Sequence, residues 1–233
     1  MRVELEPAYI LHTRAYRETS LLVYALTQQH GVMHMVCRGA RKKGLHLLQP
    51  FVKMHLTWSG NSDLVSLNKY ESEKSHYRND FRTHIQCFYL HELILGLVPK
   101  MSPETELFDL YEHTLDAMIA HPKDEAVLRL FELQLLDIIG HPLQLEHDVT
   151  TQQPISATAY YRYQPGIGAS EVSIQQSSGR FPWDIVSGHV LIQLDKQALP
   201  EQDWSQAKSF LRGLIKYYMD GKPIMTRQLL KTK

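Results

Sequence analysis

The chain has 233 residues, 43% of them hydrophobic and 21% charged, with a formal net charge of zero. That length buries a substantial core in one large domain or two small ones, and the composition excludes a disordered or fibrous chain. No apolar run is long enough to span a bilayer, MRVELEPAYI is not a secretory leader, and Cys37 and Cys87 are too few for a disulfide scaffold, so a cytoplasmic location is expected.

The first third reads as strands. Ala8–Tyr16, Ser20–Gln28, Val32–Cys37, Leu48–Trp58 and Leu64–Tyr70 are short runs rich in Val, Leu, Tyr, Met and Thr. Turn-like pieces separate them: Arg17-Glu18, His30-Gly31, a basic stretch, and Ser59 to Asp63. Five strands at this spacing predict a small barrel or sandwich, with an OB-fold barrel among the candidates. From about Asn79 the period becomes helical. Phe81, Ile85, Phe88, Tyr89, Leu93 and Leu97 recur every three or four residues, which predicts a helix over Asn79–Val98 stopped by Pro99. Ser102, Pro103 and Glu104 predict an N-cap, a first-turn proline and a first-turn acid for a helix reaching about Ile119. A third helix is predicted over Asp124–Ile139, ended by Gly140 and Pro142. Ala159–Tyr163 and Glu171–Gln175 flank a turn and predict a hairpin; helices are predicted again over about Trp183–Leu194 and Trp204–Met219.

The zero net charge conceals segregation. Residues 1–80 hold eleven Lys/Arg against seven Asp/Glu, residues 104–148 two against eleven, and residues 204–233 seven against one. Such separation makes local fields compatible with a polyanion partner. The densest cluster is Arg38-Gly39-Ala40-Arg41-Lys42-Lys43-Gly44, four fixed cations without an intervening acid. Between two strands this suits a phosphate backbone, because flexible cations follow charge without reading bases; a solvated surface loop is the other reading. Arg14 and Arg17 would extend the cationic track. Tyr16, Tyr24 and Trp58 have rings able to stack bases, although a small barrel also needs core rings.

Other chemistry finds little support. His84, Cys87 and His91 have helical spacing that zinc ligands can use, but a mixed helix face with Cys87 as a small core residue is the stronger reading. His91-Glu92 lacks the second histidine of a zinc-protease helix. No phosphate-binding glycine loop, nucleophile elbow or paired-cysteine motif is present, so neither an enzyme nor a cofactor is expected.

Several motifs occur in a specific order: His12 to Arg14, Arg17-Glu18-Thr19-Ser20-Leu21-Leu22, Leu26-Thr27 with His30-Gly31, Arg38-Gly39-Ala40-Arg41, and Leu48-Gln49-Pro50-Phe51. Leu128 to Leu136 follows, then Tyr218 to Leu230 with Gly221-Lys222-Pro223 and Thr226-Arg227-Gln228-Leu229-Leu230. Together these resemble the bacterial RecO family of DNA repair and recombination mediators over nearly the whole chain. The resemblance implies an α+β protein: an amino-terminal five-stranded OB-fold barrel over residues 1–78, then an α-helical domain over 79–233 with a small hairpin insertion at about 143–180. It implies binding of single- and double-stranded DNA, annealing of complementary strands, and cooperation with RecR in loading RecA onto DNA coated by single-stranded DNA-binding protein, in the cytoplasm at the nucleoid. Many family members hold zinc through four cysteines in the insertion. This chain has no cysteine after Cys87, so pairing and packing are expected to hold that region.

In the family the helical domain captures the acidic, Phe-ended tail of single-stranded DNA-binding protein, which needs an apolar pocket and cations. Arg129 is the best candidate, with Phe131 and Leu135 as pocket walls; an arginine paired with Glu125 or Glu132 is the equal alternative. Lys208, Arg212 and Lys216, spaced by four, share a helix face opposite Leu211, Leu214, Ile215 and Tyr218. They are candidates for the same tail or for DNA, although a plain exposed face is favoured. The competing function is an OB-fold protein-interaction adaptor that binds no DNA directly.

Overall fold

The structure is a computed structural model that describes residues 1–43, 48–73, 81–173 and 182–229. The fold is α+β. Its described residues divide into two compact units, residues 1–119 joined by the chain from Ile224 onward, and Ala120–Pro223.

The first unit is built on five strands: β1 (Arg2–Tyr16), β2 (Ser20–Thr27), β3 (Gly31–Cys37), β4 (Lys53–Ser59) and β5 (Val65–Ser72). They pair in the order β1-β2-β3-β5-β4, and β4 returns to β1 to close a barrel. All pairings are antiparallel except β3 with β5, where Met35, Val36 and Cys37 face Val65, Ser66 and Leu67. Strand β1 serves two neighbours by changing register between Val3 and Glu6 and again between Ile10 and His12; such bulges bend a strand and raise its twist. Period-two alternation sends Ala8, Ile10, Leu21, Val23, Ala25, Met33 and Met35 inward with Trp58, which is 1% exposed. Each fully buried Leu-sized side chain contributes about 1.5–3 kcal/mol.

Hydrophobic sequence before β4 does not continue that strand. Leu48–Trp58 reads as one run, yet β4 begins at Lys53. Pro50 has no amide hydrogen for a ladder and makes an isolated bridge to Ile10, while Phe51 takes a φ of 64°. Leu48, Phe51 and Val52 are buried as core packing rather than as strand positions.

Strand β2 is buried on nearly both faces, because helices cover part of the barrel. Helix α1 is one turn, Ala40–Lys43; α2 is Phe81–Leu97 and α3 is Thr105–Ala120. Tyr9 on β1 packs against Phe108 and Tyr111 of α3 with ring centroids 5.5 and 5.0 Å away. Its hydroxyl donates to Glu112 Oε1 at 2.7 Å, the same oxygen that accepts from Lys53 Nζ. The Ser102 cap does not form. Lys100 bridges to Val32, Met101 N donates to the Val32 carbonyl at 3.1 Å, and Ser102 Oγ donates to Glu104, so α3 starts later, at Thr105. Gly31 makes this approach possible. Its φ is +66°, and a Cβ there would lie 1.9 Å from the Ser102 carbonyl oxygen. The chain end returns to this unit. Glu92 of α2 accepts from the amides of Met225 and Thr226 and from Thr226 Oγ1, at the start of α7 (Thr226–Leu229).

The second unit holds α4 (Glu125–Ile138), a sheet of β6 (Tyr160–Gln164), β7 (Gly168–Val172) and β8 (Ile185–Ser187), then α5 (Gly188–Asp195) and α6 (Trp204–Tyr218). Asp124 caps α4 by accepting from Ala126 N at 2.8 Å. At the other end Gly140 N donates to Asp137 and His141 N to Leu136, the paired bonds of a Schellman motif. The expected hairpin is present, but its second strand begins at Gly168, opposite Gln164, rather than at Glu171, and positions 174 and 175 of the expected strand lie outside the described residues. The expected helix from Trp183 is instead β8, which pairs with β6 from Tyr160–Ser187 to Arg162–Ile185. Ser187 then caps α5, its Oγ accepting from Val190 N at 3.3 Å. The core joins Leu136, Tyr161, Tyr163, Val186, Leu191, Phe210 and Leu214.

Asp148 ties the irregular stretch before β6 to the sheet. Its Oδ1 accepts from Thr150 N and Thr151 N at 2.7 and 2.8 Å, and its Oδ2 accepts from Glu171 N on β7 at 2.6 Å. Burial acts upward on this carboxyl, but the amide donors of Thr151, Glu171 and Thr150 outweigh it and hold the group below its ordinary value. Tyr163 and Tyr161 hydroxyls accept from the amides of Gln144 and Ser156.

Candidate nucleic-acid interface

Four candidate cations of the first unit, Arg14, Arg17, Arg38 and Arg41, lie at one end of the barrel. Arg14 lies near the end of β1 opposite Leu22, Arg17 lies in the turn to β2, and Arg38 follows Cys37, which pairs with Leu21. The sequence suggests a loop after β3, but its described part is the helical turn α1, fastened to the β1–β2 turn. Arg41 N donates to the Thr19 carbonyl at 3.1 Å, and Arg41 Nη1 donates to the carbonyls of Glu18 and Arg17 at 3.0 and 3.3 Å. Buried Ala40 anchors the turn in the core. Two chain segments that are distant in sequence therefore present their cations together.

Arg14, Arg17, Arg38 and Arg41 are all exposed, and among the described residues none of the four pairs with a carboxylate. Arg17 has a φ of 50° and rests its guanidinium over the Tyr16 ring at 5.2 Å. Lys42 and Lys43 end α1, and their side chains lie outside the described residues, as do positions 44–47. The arrangement is a group of solvated, unneutralised cations on a fixed frame, suited to phosphate oxygens.

The three candidate rings have different surroundings. Trp58 is in the core, edge-on to His30 at 5.2 Å. Tyr16 is half-buried beneath Arg17. Tyr24 is half-buried between His12 on β1 and His34 on β3, with centroids at 5.7 and 4.4 Å. Nothing local in the sequence joins the two histidines to Tyr24; strand register alone brings them there.

His84, Cys87 and His91 all lie on α2. Both nitrogens of His91 are engaged, Nδ1 with the Leu11 carbonyl at 2.8 Å and Nε2 with the Tyr111 hydroxyl at 2.5 Å. Among the described residues no group of three or more His, Cys, Asp or Glu is placed to hold a metal ion. Among them, too, no helix is long and apolar enough to cross a membrane.

Residues 1–76 match the family model described as Recombination protein O N terminal, and residues 78–228 match Recombination protein O C terminal. The chain belongs to the RecO family. It is 37% identical to the DNA repair protein RecO of Nitrosococcus oceani, over 99% of this chain and 94% of that relative. It is 35% identical to the one of Methylococcus capsulatus, with the same coverage. The DNA repair protein RecO of Cellvibrio japonicus is 36% identical, over 98% of this chain and 97% of its own.

In this RecO chain the second unit places the tail-binding candidates in two settings. Arg129, Phe131 and Leu135 on α4 are 2%, 1% and 0% exposed. Arg129 Nη2 donates to Glu132 Oε1 at 2.7 Å, one of the two pairings its sequence spacing allows. Among the described residues its Nε and Nη1 have no hydrogen-bond acceptor. On α6, Lys208 Nζ donates to Glu125 Oε2 at 2.7 Å, Arg212 is half-buried, and Lys216 is exposed. The stripe is thus one buttress to α4 and one solvated cation, with Arg212 between.

Proposed function

We propose that this protein is a non-enzymatic recombination mediator in DNA repair that binds single- and double-stranded DNA through the cationic end of its barrel. The observation that carries the reading is the fastening of α1 to the β1–β2 turn by Arg41, which groups Arg14, Arg17 and Arg38 without a neutralising acid among the described residues. Residues 1–78 act as the DNA-binding domain, with Lys42 and Lys43 adding to its field, and residues 79–233 act as the helical domain with its insertion at about 143–180. Contacts of this kind go to phosphate, so binding is insensitive to sequence and falls with salt. Holding two strands while screening their repulsion is the physical basis for annealing. Membership of the RecO family supports partnership with RecR, with single-stranded DNA-binding protein and, through them, with RecA at the nucleoid.

Arg129 supports the tail site in one respect: two guanidinium nitrogens lacking acceptors among the described residues leave capacity for a visiting carboxylate, because unmet buried donors are costly. Phe131 and Leu135 then form the apolar wall once the site opens, and Lys208, Arg212 and Lys216 supply the outer field. A tail peptide titrated against wild type and Arg129→Ala tests this; equal affinity removes Arg129 from the site.

The main test is oligonucleotide binding across a salt series. Four phosphate contacts give a slope of about −3 on single strands, from about −0.7 per contact. The triple variant Arg38→Glu, Lys42→Glu, Lys43→Glu is expected to lose binding and annealing while keeping its circular dichroism. Unchanged affinity in that variant refutes the cationic site, and absence of any DNA affinity at low salt leaves the adaptor reading in its place.

A further inference from the structure

The outer face of the barrel carries a feature that phosphate binding does not use. His12, Tyr24 and His34 form a row across β1, β2 and β3, since His12 is opposite Tyr24 and Tyr24 opposite His34 in the ladders. The rings touch: Tyr24 meets His34 edge-on at 4.4 Å and 71°, and His12 at 5.7 Å and 45°. The row does not belong to the barrel core, which takes Val23, Ala25, Met33 and Met35 from the same strands. Leu22 and Leu26 beside Tyr24 are buried, but His12 is exposed and Tyr24 and His34 remain half-exposed.

Cations stand on both sides of this row along the strand direction. Arg14 is two residues past His12 on β1, its guanidinium 6.0 Å from the Tyr24 ring centre. Lys100 bridges to Val32, two residues before His34. Two residues of strand span about 7 Å, so each cation is one side-chain reach from the rings. The His34 imidazole is held below its ordinary value of 6.5, first by burial and then by Lys100 and Arg14. At neutral pH it is an uncharged ring with cations around it.

We propose that His12, Tyr24 and His34 form a stacking platform for unpaired nucleobases, with Arg14 and Lys100 taking the phosphates on either side. The platform rests on the DNA-binding reading and deepens it. The cationic end explains affinity for any phosphate backbone, whereas the row requires bases freed from a duplex. Base-on-ring stacking tolerates sequence because every base has a π-face.

The test uses the full chain and two probes of equal length and charge, an oligothymidylate and an oligomer of the same backbone with the bases removed. Wild type is expected to bind the base-free probe about tenfold more weakly, the loss of one or two stacked bases. Tyr24→Leu keeps an apolar side chain on β2 and is expected to bring the two affinities within about twofold, while Tyr24→Phe preserves the gap. His12→Ala, at an exposed position, is expected to narrow it. If wild type binds both probes equally, or if Tyr24→Leu keeps the tenfold gap, the platform is overturned and the phosphate site stands. If neither probe binds at low salt, the DNA-binding reading itself fails and the platform falls with it.

Discussion

His91 accepts a 2.5 Å hydrogen bond from the Tyr111 hydroxyl, and its other ring nitrogen is 2.8 Å from the Leu11 carbonyl. The carbonyl can only accept, so Nδ1 carries the proton and Nε2 receives the phenol. One imidazole thereby joins barrel strand β1 to helices α2 and α3. It is 2% exposed, and burial drives its pKa from 6.5 to about 3, against the upward pull of the Leu11 hydrogen bond and with His12 and His84 adding repulsion. The ring is neutral in the folded protein across the usual pH range and becomes charged in the unfolded chain below 6.5. Stability from this residue is therefore full above about pH 6.5 and declines as pH falls toward 3, by about 1.4 kcal/mol per pH unit. His91→Gln keeps a donor and an acceptor without a titrating group. It is expected to lower stability by about 1–2 kcal/mol at pH 7 and to give a shallower acid slope than wild type in urea titrations from pH 7 to pH 4. Equal slopes would remove His91 as the source of acid sensitivity.

Asp148 makes the opposite kind of test, on a group that is charged when folded. Its depressed pKa means that its stabilisation is present above the ordinary value of 3.8 and is lost as pH falls through the lower folded value. Asp148→Asn presents one carbonyl oxygen where the carboxylate offers two, so the Thr150 and Thr151 amides or the Glu171 amide lose their acceptor. The expected cost is about 1–2 kcal/mol at pH 7. The gap between variant and wild type should narrow as the pH is lowered below 3.8, which thermal melts across that range would show. In a RecO chain with no cysteine in this region, this carboxylate supplies a cross-link between loop and sheet that needs no metal.

Gly213 lies on α6 beneath the Trp183 indole, and a Cβ there would sit 2.1 Å from a ring atom. Gly213→Ala would raise helix propensity on an exposed helix, but here the ring must move. The expected result is a net loss of about 1–3 kcal/mol, read as a lower melting temperature. Trp183→Leu in the same background should relieve part of it, since the clash is with the ring. A more stable Gly213→Ala protein would show that Trp183 moves aside without cost.

Much of this architecture is legible in the residues. The short runs of Leu, Val, Tyr and Met over Leu21–Ala25 and Val32–Cys37, bounded by turn-like pieces, mark strands, and the three-to-four spacing from Phe81 to Leu97 marks α2, because a helix buries one face at that period. What escapes is set by pairing between distant segments. β8 is three residues long and becomes a strand because β6 offers it an edge. Ser102 has the chemistry of a cap but is drawn to Gly31 by the bridge of Lys100 to Val32. In the candidate site the cluster from Arg38 to Lys43 is visible at once. Its attachment to Arg17 and the alignment of His12 with Tyr24 and His34 depend on register that no single segment encodes.

Arg41 has a structural task across the β1–β2 turn, and this separates it from Arg38 in a binding measurement. Arg38→Ala removes one exposed charge and should reduce the salt slope on single strands by about 0.7. Arg41→Ala removes a charge and also the side-chain bonds to the carbonyls of Arg17 and Glu18. The backbone bond from Arg41 N to Thr19 survives, so the fold persists with a small loss, about 0.5–1 kcal/mol at this exposed position. With the turn loosened, Arg17 no longer keeps its place beside the cluster. Arg41→Ala should then weaken DNA binding more than Arg38→Ala does, and Arg17→Ala should cost less in the Arg41→Ala background than in wild type. Affinities for the two single variants and the double variant at one salt concentration complete the cycle. Additive losses would mean that Arg17 and Arg41 contact DNA independently and that the bonds across the turn do not organise the site.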